Sequence, residues 1–363
     1  MSSASAPDRT PDRPSHRDAP ASARALWQIG PGRAALRDTP IAAVAGDLLI
    51  AAHFSGISRG TEALVLAGQV PVSEHGRMRA PLQEGAFPFP VKYGYAAVGR
   101  ILSGGSAAPA TGTAASLSGA GDSTDPAALP ADGTPVFVLG PHQAVFAAPS
   151  AMVHPLPEGL PPGRAVLAAN METALNILWD SGAGAGDRVA VVGAGVVGAL
   201  VAYLCALLPG AEVTLIDTNP DRAALAAALG CVFAAPAAAP EGCDVVIHAS
   251  ASAAGLATAL AAAGPEACVV EASWHGDRAV PAPLGAAFHS QRLRLISSQV
   301  GRLLPARAPR WSHARRLRKA LELLRDPALD VLISGETEFP DLPEAYPRIL
   351  ADPATLCHRV RYP

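Results

Sequence analysis

The most constraining feature of the sequence is a glycine-rich turn that joins an apolar run to a helix-like segment. The turn, Gly193–Gly198, reads Gly-Ala-Gly-Val-Val-Gly and directly follows the strand-like run Arg188–Val192. Glycines at this spacing permit a tight turn and a close approach of the backbone to a pyrophosphate, while the helix N-terminus supplies free N–H groups and positive potential. We therefore predict a dinucleotide-binding Rossmann unit. A structural glycine turn in a nucleotide-free α/β fold is the alternative.

An acidic residue at the end of the next apolar run indicates which cofactor binds. Asp217 follows Glu212–Ile216, where a carboxylate accepts hydrogen bonds from the ribose hydroxyls and repels a 2′-phosphate. This favours NAD(H), although Arg222 is close enough in sequence to leave NADP(H) open. The residues that this pattern predicts to contact the cofactor are Gly193, Gly195, Val196, Val197, Gly198, Asp217 and Arg222.

Strand-like and helix-like segments alternate around the turn, but only over part of the chain. The alternation runs through 159–302, which predicts a parallel sheet with right-handed crossovers. Short strand-like runs fill 24–158, and 303–363 is expected to return to that domain. Residues 1–23 are predicted as a disordered tail and 104–132 as a flexible insertion. The predicted fold class is α/β, with a doubly wound Rossmann domain and a β-rich catalytic domain.

Composition excludes several classes of protein. The chain has 28 basic and 31 acidic residues, a net charge of −3, which argues against a general polyanion-binding protein. No apolar run is long enough to span a membrane, and the first residues lack the apolar core of a secretory signal. The five cysteines show no framework spacing, which suits a reducing compartment. We expect a cytoplasmic protein with a small-molecule substrate and no nucleic-acid or membrane partner.

Two further segments carry a family resemblance. Gly56-Ile57-Ser58-Arg59 is followed by Gly94-Tyr95-Ala96-x-x-Gly99, and Glu172 lies in a predicted helix before the glycine-rich turn. The arrangement resembles the medium-chain dehydrogenase/reductase superfamily, and within it the bacteriochlorophyllide a dehydrogenase branch. The resemblance implies a GroES-like catalytic domain and a homodimer or homotetramer. It also implies that Arg59 contacts the cofactor pyrophosphate and that Ser298 lies near the nicotinamide.

The sequence departs from this family at the positions that bind catalytic zinc. Zinc members have cysteine, histidine and a further cysteine or glutamate where this chain has Ser58, Tyr95 and Glu172. A hydroxyl, a phenol and one carboxylate make a poor zinc site, because zinc selects thiolates and imidazoles. The four-cysteine structural zinc lobe of the family is also absent from the sequence. We therefore predict no catalytic zinc and no metal ligands.

The family position of Tyr95 suggests chemistry without a metal. Its phenol takes the place of the zinc-binding histidine, and the charge of Lys92 is expected to lower its pKa. Ser58 and Thr61 are candidates to relay a proton or, alternatively, to cap a turn. Glu172 is expected to contact Ser58 or Tyr95 or to act as a general base. The alternative is that Lys92 and Tyr95 face apart and Tyr95 packs in the cleft wall.

Two other polar features allow both a structural and a functional interpretation. His53 and His142 are single histidines in segments that are predicted to be strands. We interpret them as structural residues rather than proton shuttles. In the segment around Leu317, Leu321 and Leu324, leucines are predicted on one helix face and arginines on the other. Ten basic residues and no acidic ones lie between Asp277 and Glu322, forming either a solvated surface or a site for an anionic partner or substrate.

These features together predict an NAD(H)-dependent, zinc-independent oxidoreductase. Its reaction would interconvert a secondary alcohol and a carbonyl on a bulky substrate, with an anionic group as one option. Two alternatives stay open at this point. One is an NAD(P)H-dependent reductase of C=C bonds in enones or quinones, and the other is a nucleotide-binding redox sensor without turnover.

Overall fold

A computed structural model of the chain describes residues 20–104 and 129–363. The predicted tail (1–23) and the predicted insertion (104–132) lie mostly outside these residues. Ser22 and Ala23, at the end of the predicted tail, are described, and they form the start of a strand instead. Within the described residues, no helix is both long and apolar enough to cross a membrane.

The N-terminal region is built from short strands. They form one sheet in the order β2-β1-β5-β4 and contribute β3, β6, β7, β8 and β9 to a second. The elements of this region are β1 (Ser22–Gly30), β2 (Arg33–Pro40), β3 (Asp47–Ser58), α1 (Arg59–Leu66), β4 (Glu84–Gly85), β5 (Val91–Lys92), β6 (Ala97–Gly104), β7 (Pro135–Val138), β8 (Val145–Pro149) and β9 (Val153–Pro155).

The middle of the chain alternates helices and parallel strands. Its elements are α2 (Pro162–Ala165), α3 (Ala168–Ser181), β10 (Arg188–Val192), α4 (Val196–Ala206), β11 (Glu212–Ile216), α5 (Arg222–Ala228), β12 (Val232–Ala234), β13 (Cys243–His248), α6 (Ala253–Ala262), β14 (Ala263–Glu271), α7 (Ala287–Ser290) and β15 (Arg294–Ser297). The six strands lie in the order β12-β11-β10-β13-β14-β15, which is the order of a dinucleotide-binding sheet. This confirms the predicted fold class.

Two of these strands were not predicted from the apolar runs of the sequence. The apolar runs predict β10, β11, β13 and β14, whose central residues are buried on both sides by helices. The edge strands β12 and β15 are short, and their residues are exposed or half-buried. A strand with one free edge and little buried surface needs no apolar run, so its sequence gives no such signal.

The C-terminal region returns to the N-terminal sheet only in part, because its first helix packs against α3 in the core of the Rossmann domain. Its elements are α8 (His313–Leu323), β16 (Ile333–Glu338), α9 (Leu342–Ala351) and β17 (Cys357–Arg361). Strand β17 pairs antiparallel with β3, so that Cys357 lies opposite Ser58. Helix α9 contributes Tyr346, Ile349 and Leu350 to the core between α9 and this sheet.

Helix α8 corrects one prediction about its arginines. Leu317, Leu321 and Leu324 are buried as predicted, but Arg316 lies on the same side and is only 1% exposed. The expected division into a leucine face and an arginine face is therefore wrong at Arg316. Its guanidinium is accepted into the interior because α3 and the loop at Val300 provide oxygen acceptors for it.

Candidate functional site

The glycines of the nucleotide turn are required for different physical reasons. Gly193 has φ +108°, a conformation that side chains rarely adopt. A Cβ on Gly198 would stand 1.9 Å from the carbonyl oxygen of Gly193, so α4 can begin this close to β10 only without a side chain. A Cβ on Gly195 would meet nothing within 4 Å. The space beside Gly195 is therefore open to a ligand.

The turn lies at the switch point of the sheet, between β10 and β13. Helix α4 begins here, with Gly195 as its N-cap. The N–H groups of Val196 and Val197 belong to the first helical turn, which has no partners within a helix. Free N–H groups, a helix dipole and an open approach at Gly195 are the features that bind a pyrophosphate. The residues present therefore fit a dinucleotide.

Asp217 and Arg222 both have partners within the protein. Asp217 accepts hydrogen bonds from the backbone N–H of Ala194 at 2.7 Å and of Asn219 at 2.8 Å, which ties β11 to the nucleotide turn. Arg222 donates to two backbone carbonyls near residue 353, each at 3.0 Å. Their predicted contacts to the cofactor stay predictions, but the guanidinium is already bound to the C-terminal region.

Tyr95 lies on the loop between β5 and β6. It is half-buried, its ring meets Tyr93 edge-on at 6.0 Å, and the hydroxyls of Ser58 and Thr61 stand beside its phenol. Desolvation, followed by the negative charge of Glu62, raises the pKa of Tyr95 to about 12. At neutral pH the group is therefore a neutral phenol, which can donate a proton.

Glu62 is a central residue that the sequence analysis missed. Its carboxylate is fully buried and accepts hydrogen bonds from the Ser58 backbone N–H at 2.7 Å and from the Tyr346 hydroxyl at 2.6 Å. His142 Nε2 lies 3.0 Å from the same carboxylate. An acidic residue in the first turn of a helix that follows a long strand is the only signal in the sequence for this role.

His142 is a buried histidine with a polar partner at each ring nitrogen. The ring is fully buried, with Nδ1 2.7 Å from the Ser55 hydroxyl and Nε2 directed at Glu62. Ser55 in turn lies 3.0 Å from the hydroxyl of Tyr362. This chain of hydrogen bonds connects β3 with the C-terminal region and satisfies every polar group along it.

The structure corrects the prediction for Lys92. Its Nζ donates to Glu84 at 2.5 Å and to Gln143 at 2.6 Å, and desolvation lowers its pKa. Because side chains alternate along a strand, Val91 and Tyr93 pack with Tyr95 while Lys92 points to the other face of β5. Lys92 therefore does not lower the pKa of Tyr95, which is raised instead.

The predicted contact of Glu172 with Ser58 or Tyr95 is not formed, while its role as a general base stays a prediction. Its carboxylate accepts a hydrogen bond from Arg316 Nε at 3.0 Å, and burial raises its pKa despite this charge. The residue of α3 that contacts Ser58 is Asn170, which donates to the Ser58 hydroxyl at 3.2 Å. Positions 170 and 172 are about 200° apart around a helix, so only one of them can face Ser58.

The remaining predicted residues are placed as follows. Ser58 is the N-cap of α1 but makes no capping hydrogen bond with its side chain. Arg59 follows it and forms no ion pair with any residue that the structure describes. Ser298 donates to Asp180 at 2.6 Å, in a network that leads through Asn176 to Arg316. The roles of Arg59 and Ser298 toward a cofactor stay predictions.

Comparison with known proteins supports this arrangement. Residues 188–272 match the family model described as 3-hydroxyacyl-CoA dehydrogenase, NAD binding domain. No curated protein matches the sequence. L-idonate 5-dehydrogenase from Escherichia coli K-12 is similar in structure, with a TM-score of 0.72 and 15% identity over 94% of this chain and 98% of that one.

Two further solved structures are similar over nearly the whole chain. Alcohol dehydrogenase TADH from Thermus sp. ATN1 has a TM-score of 0.68 and 20% identity over 94% of this chain and 100% of its own. Acetophenone reductase from Geotrichum candidum, in complex with NAD, has a TM-score of 0.70 and 14% identity over 95% and 98%. The chain therefore has the two-domain fold of these dehydrogenases and reductases, a Rossmann domain joined to a GroES-like domain.

Proposed function

We propose that the chain is an NAD(H)-dependent oxidoreductase that interconverts a secondary alcohol and a carbonyl. The observation that carries this proposal is the nucleotide turn, with its open Gly195 and free helix N-terminus at the switch point of the sheet. A bound NAD(H) supplies or accepts the hydride, and the protein supplies orientation and proton transfer.

The acidic end of β11 supports NAD(H) over NADP(H). Asp217 places a carboxylate beside the nucleotide turn, where it would repel a 2′-phosphate. Arg222 is the residue that would compensate this charge, and its guanidinium is bonded to carbonyls of the C-terminal region.

Tyr95 is the group that we assign to proton transfer. Its neutral phenol can donate a proton to the oxygen of a carbonyl as that oxygen gains negative charge. The hydroxyls of Ser58 and Thr61 lie beside the phenol and are placed to stabilise the phenolate that remains. Burial makes this phenol a weaker acid than a free tyrosine, and the hydrogen bonds from Ser58 and Thr61 act in the opposite direction by lowering its pKa.

We further propose that no zinc ion binds at Ser58, Tyr95 and Glu172. The three residues do not fit one, because Glu172 is occupied by Arg316 and Tyr95 stays a neutral phenol. A hydroxyl and a phenol are poor zinc ligands in any case. The proton chemistry of Tyr95 requires no metal at this position.

The class of substrate is inferred from the resemblance of the segments around Ser58 and Tyr95. Tyr95 packs against a cluster of buried or half-buried apolar residues formed by Val65, Val70, Met78, Phe87, Val91, Tyr93 and Trp274. Most of these residues are buried in a core, so they support the ring of Tyr95 and do not form a surface for a substrate. We propose a ring-bearing carbinol or ketone, the class to which the substrate of the bacteriochlorophyllide a dehydrogenase branch belongs.

Nicotinamide fluorescence tests the cofactor assignment directly. We expect NADH to bind the full-length protein at least tenfold more tightly than NADPH, and Asp217→Ala to reduce this difference. Equal or tighter binding of NADPH would contradict the preference, and no binding of either would contradict the function. A zinc content that disappears in Ser58→Ala would contradict the metal-free site.

A further inference from the structure

Three potential metal ligands, none of them Ser58, Tyr95 or Glu172, meet at the carboxyl edge of the Rossmann sheet. His248 is the last residue of β13 and Glu271 the last of β14, and the two strands pair so that these residues lie side by side. His275 follows four residues later in the loop after β14. One nitrogen or oxygen atom from each residue lies within 4.8 Å of the other two.

The distances describe a compact group around one carboxylate oxygen. Glu271 Oε2 lies 2.6 Å from His248 Nδ1 and 3.5 Å from His275 Nε2. The two imidazole rings are nearly parallel, with centroids 6.1 Å apart. His248 is fully buried, whereas Glu271 is 19% and His275 15% exposed. The outer two residues therefore leave a path for an ion to enter.

The ring of His275 has polar atoms for which the protein provides no hydrogen-bond partner. Both of its ring nitrogens are buried and neither has a hydrogen-bond partner. A buried polar atom without a partner is uncommon in native proteins, because it has lost its hydration and gained nothing in return. An ion bound between His275 and Glu271 would satisfy one of these nitrogens.

The three residues are themselves held by hydrogen bonds, as metal ligands in proteins commonly are. His248 Nε2 lies 2.7 Å from the Ser250 hydroxyl, and Glu271 Oε1 accepts the backbone N–H of Ser273 at 2.8 Å. Such outer hydrogen bonds fix the tautomer of a histidine ligand and the orientation of a carboxylate ligand. Arg278 donates to the carbonyl of His275 at 3.1 Å, which holds the loop in place.

We propose that His248, Glu271 and His275 bind one zinc-class divalent cation. Two imidazoles and one carboxylate are ligands that Zn²⁺ prefers, whereas Mg²⁺ and Ca²⁺ prefer oxygen ligands alone. Three protein ligands leave the fourth position for water or another molecule. The site borders the nucleotide turn, since the Ser250 backbone N–H lies where a side chain on Gly193 would point.

Titration calorimetry with Zn²⁺ on chelator-treated, tag-free, full-length protein tests the site. We expect one Zn²⁺ per chain, no binding of Mg²⁺ under the same conditions, and a Co²⁺ complex with the visible absorption of a four-coordinate ion. His275→Ala should weaken Zn²⁺ binding at least tenfold. This variant removes no hydrogen bond of the ring, so it is expected to fold, which far-ultraviolet circular dichroism checks.

His289→Ala is the matched control, because His289 is an exposed histidine on α7 of the same domain. Unchanged binding in this variant and weakened binding in His275→Ala and Glu271→Gln would support the site. No Zn²⁺ binding by the wild type, or equal binding by His275→Ala, would overturn it. The proposal stands apart from the proposed function, because NADH binding is measured separately and can fail or succeed on its own.

Discussion

The phenol of Tyr95 and the carboxylate of Glu62 divide two tasks between them. Tyr95 is half-buried, whereas Glu62 is fully buried and receives hydrogen bonds from Ser58 and Tyr346. Desolvation, followed by the charge of Glu62, raises the pKa of the phenol. Glu62 therefore acts through Tyr95 and through the position of Ser58, without contact to a substrate.

Replacing the phenol separates a role in proton transfer from a role in packing. Tyr95→Phe keeps the ring and is expected to lower NADH-dependent reduction of a carbonyl substrate about 100-fold. NADH affinity should stay unchanged, because the nucleotide turn lies in the other domain. Steady-state kinetics of the two proteins on the best ketone from a substrate screen measures the effect.

Tyr93→Phe is the control for this experiment, since Tyr93 is buried in the same cluster and meets Tyr95 edge-on. Its turnover is expected to stay within about threefold of the wild type. Equal rates for Tyr95→Phe and the wild type would reject the phenol as the proton donor and leave it a packing residue.

Several residue roles could not be predicted from the sequence. The family position of Tyr95 pointed to the cleft, but the environment of its phenol depends on Glu62, which no motif singles out. Lys92 is close to Tyr95 in sequence and faces away from it because strand alternation separates them. Glu172 matches a family position, but its carboxylate forms an ion pair with Arg316, which lies on a helix far away in the sequence. Pairings of this kind are created by tertiary packing.

At the scale of elements, the turn between β10 and α4 combines a structural and a binding requirement. Gly198 has no room for a side chain, because the Gly193 carbonyl lies in its place. Gly195 has room and an ordinary φ of −72°, so an alanine there would not strain the fold. The two glycines can therefore be distinguished by experiment.

Alanine at these two positions should affect different measurements. Gly198→Ala is expected to lower the free energy of unfolding by about 2 kcal/mol, because overpacking pushes α4 away from β10. Gly195→Ala should change it by less than about 0.5 kcal/mol and still weaken NADH binding at least tenfold, since the methyl group occupies the open side of the turn. Urea unfolding and nicotinamide fluorescence on both variants give the comparison.

Wild-type NADH affinity in Gly195→Ala would show that no ligand approaches the turn from this side. Wild-type stability in Gly198→Ala would show that α4 can shift at little cost. Either result would contradict the role that we assign to that glycine.

The elements themselves were largely predictable. Strands buried on both faces carry continuous apolar runs, and the glycine turn locates the first of them. The sequence analysis did not identify the ligands of the proposed cation site, because His248 and Glu271 become neighbours only when β13 and β14 pair. A histidine and a glutamate that each end an apolar run in consecutive strands are the signal that could have found them.

The whole molecule should show a dependence of stability on pH that arises from a buried histidine. His154 in β9 is 7% exposed, and desolvation, followed by the charge of Arg318, lowers its pKa to about 4. In the unfolded chain the pKa returns to 6.5. Between these values the unfolded state binds more protons, so stability is full above pH 6.5 and falls as the pH is lowered toward 4.

This difference corresponds to a loss of about 2 kcal/mol between pH 7 and pH 5. Urea unfolding at the two pH values should show that His154→Gln loses less stability over this range than the wild type. His289→Gln, which alters an exposed histidine, should lose as much as the wild type. Equal losses in all three proteins would assign the pH dependence to other groups.

The pairing of β3 with β17 has a consequence for the order in which the molecule is made. The six strands of the Rossmann sheet follow one another along the chain, from β10 to β15. The sheet that positions Ser58 is interrupted by them, since its β3 pairs with β17. During translation from the N-terminus, every strand of the Rossmann sheet is synthesised before β17. A ribosome-bound chain therefore cannot complete the sheet behind Ser58 until its nucleotide-binding unit has been made.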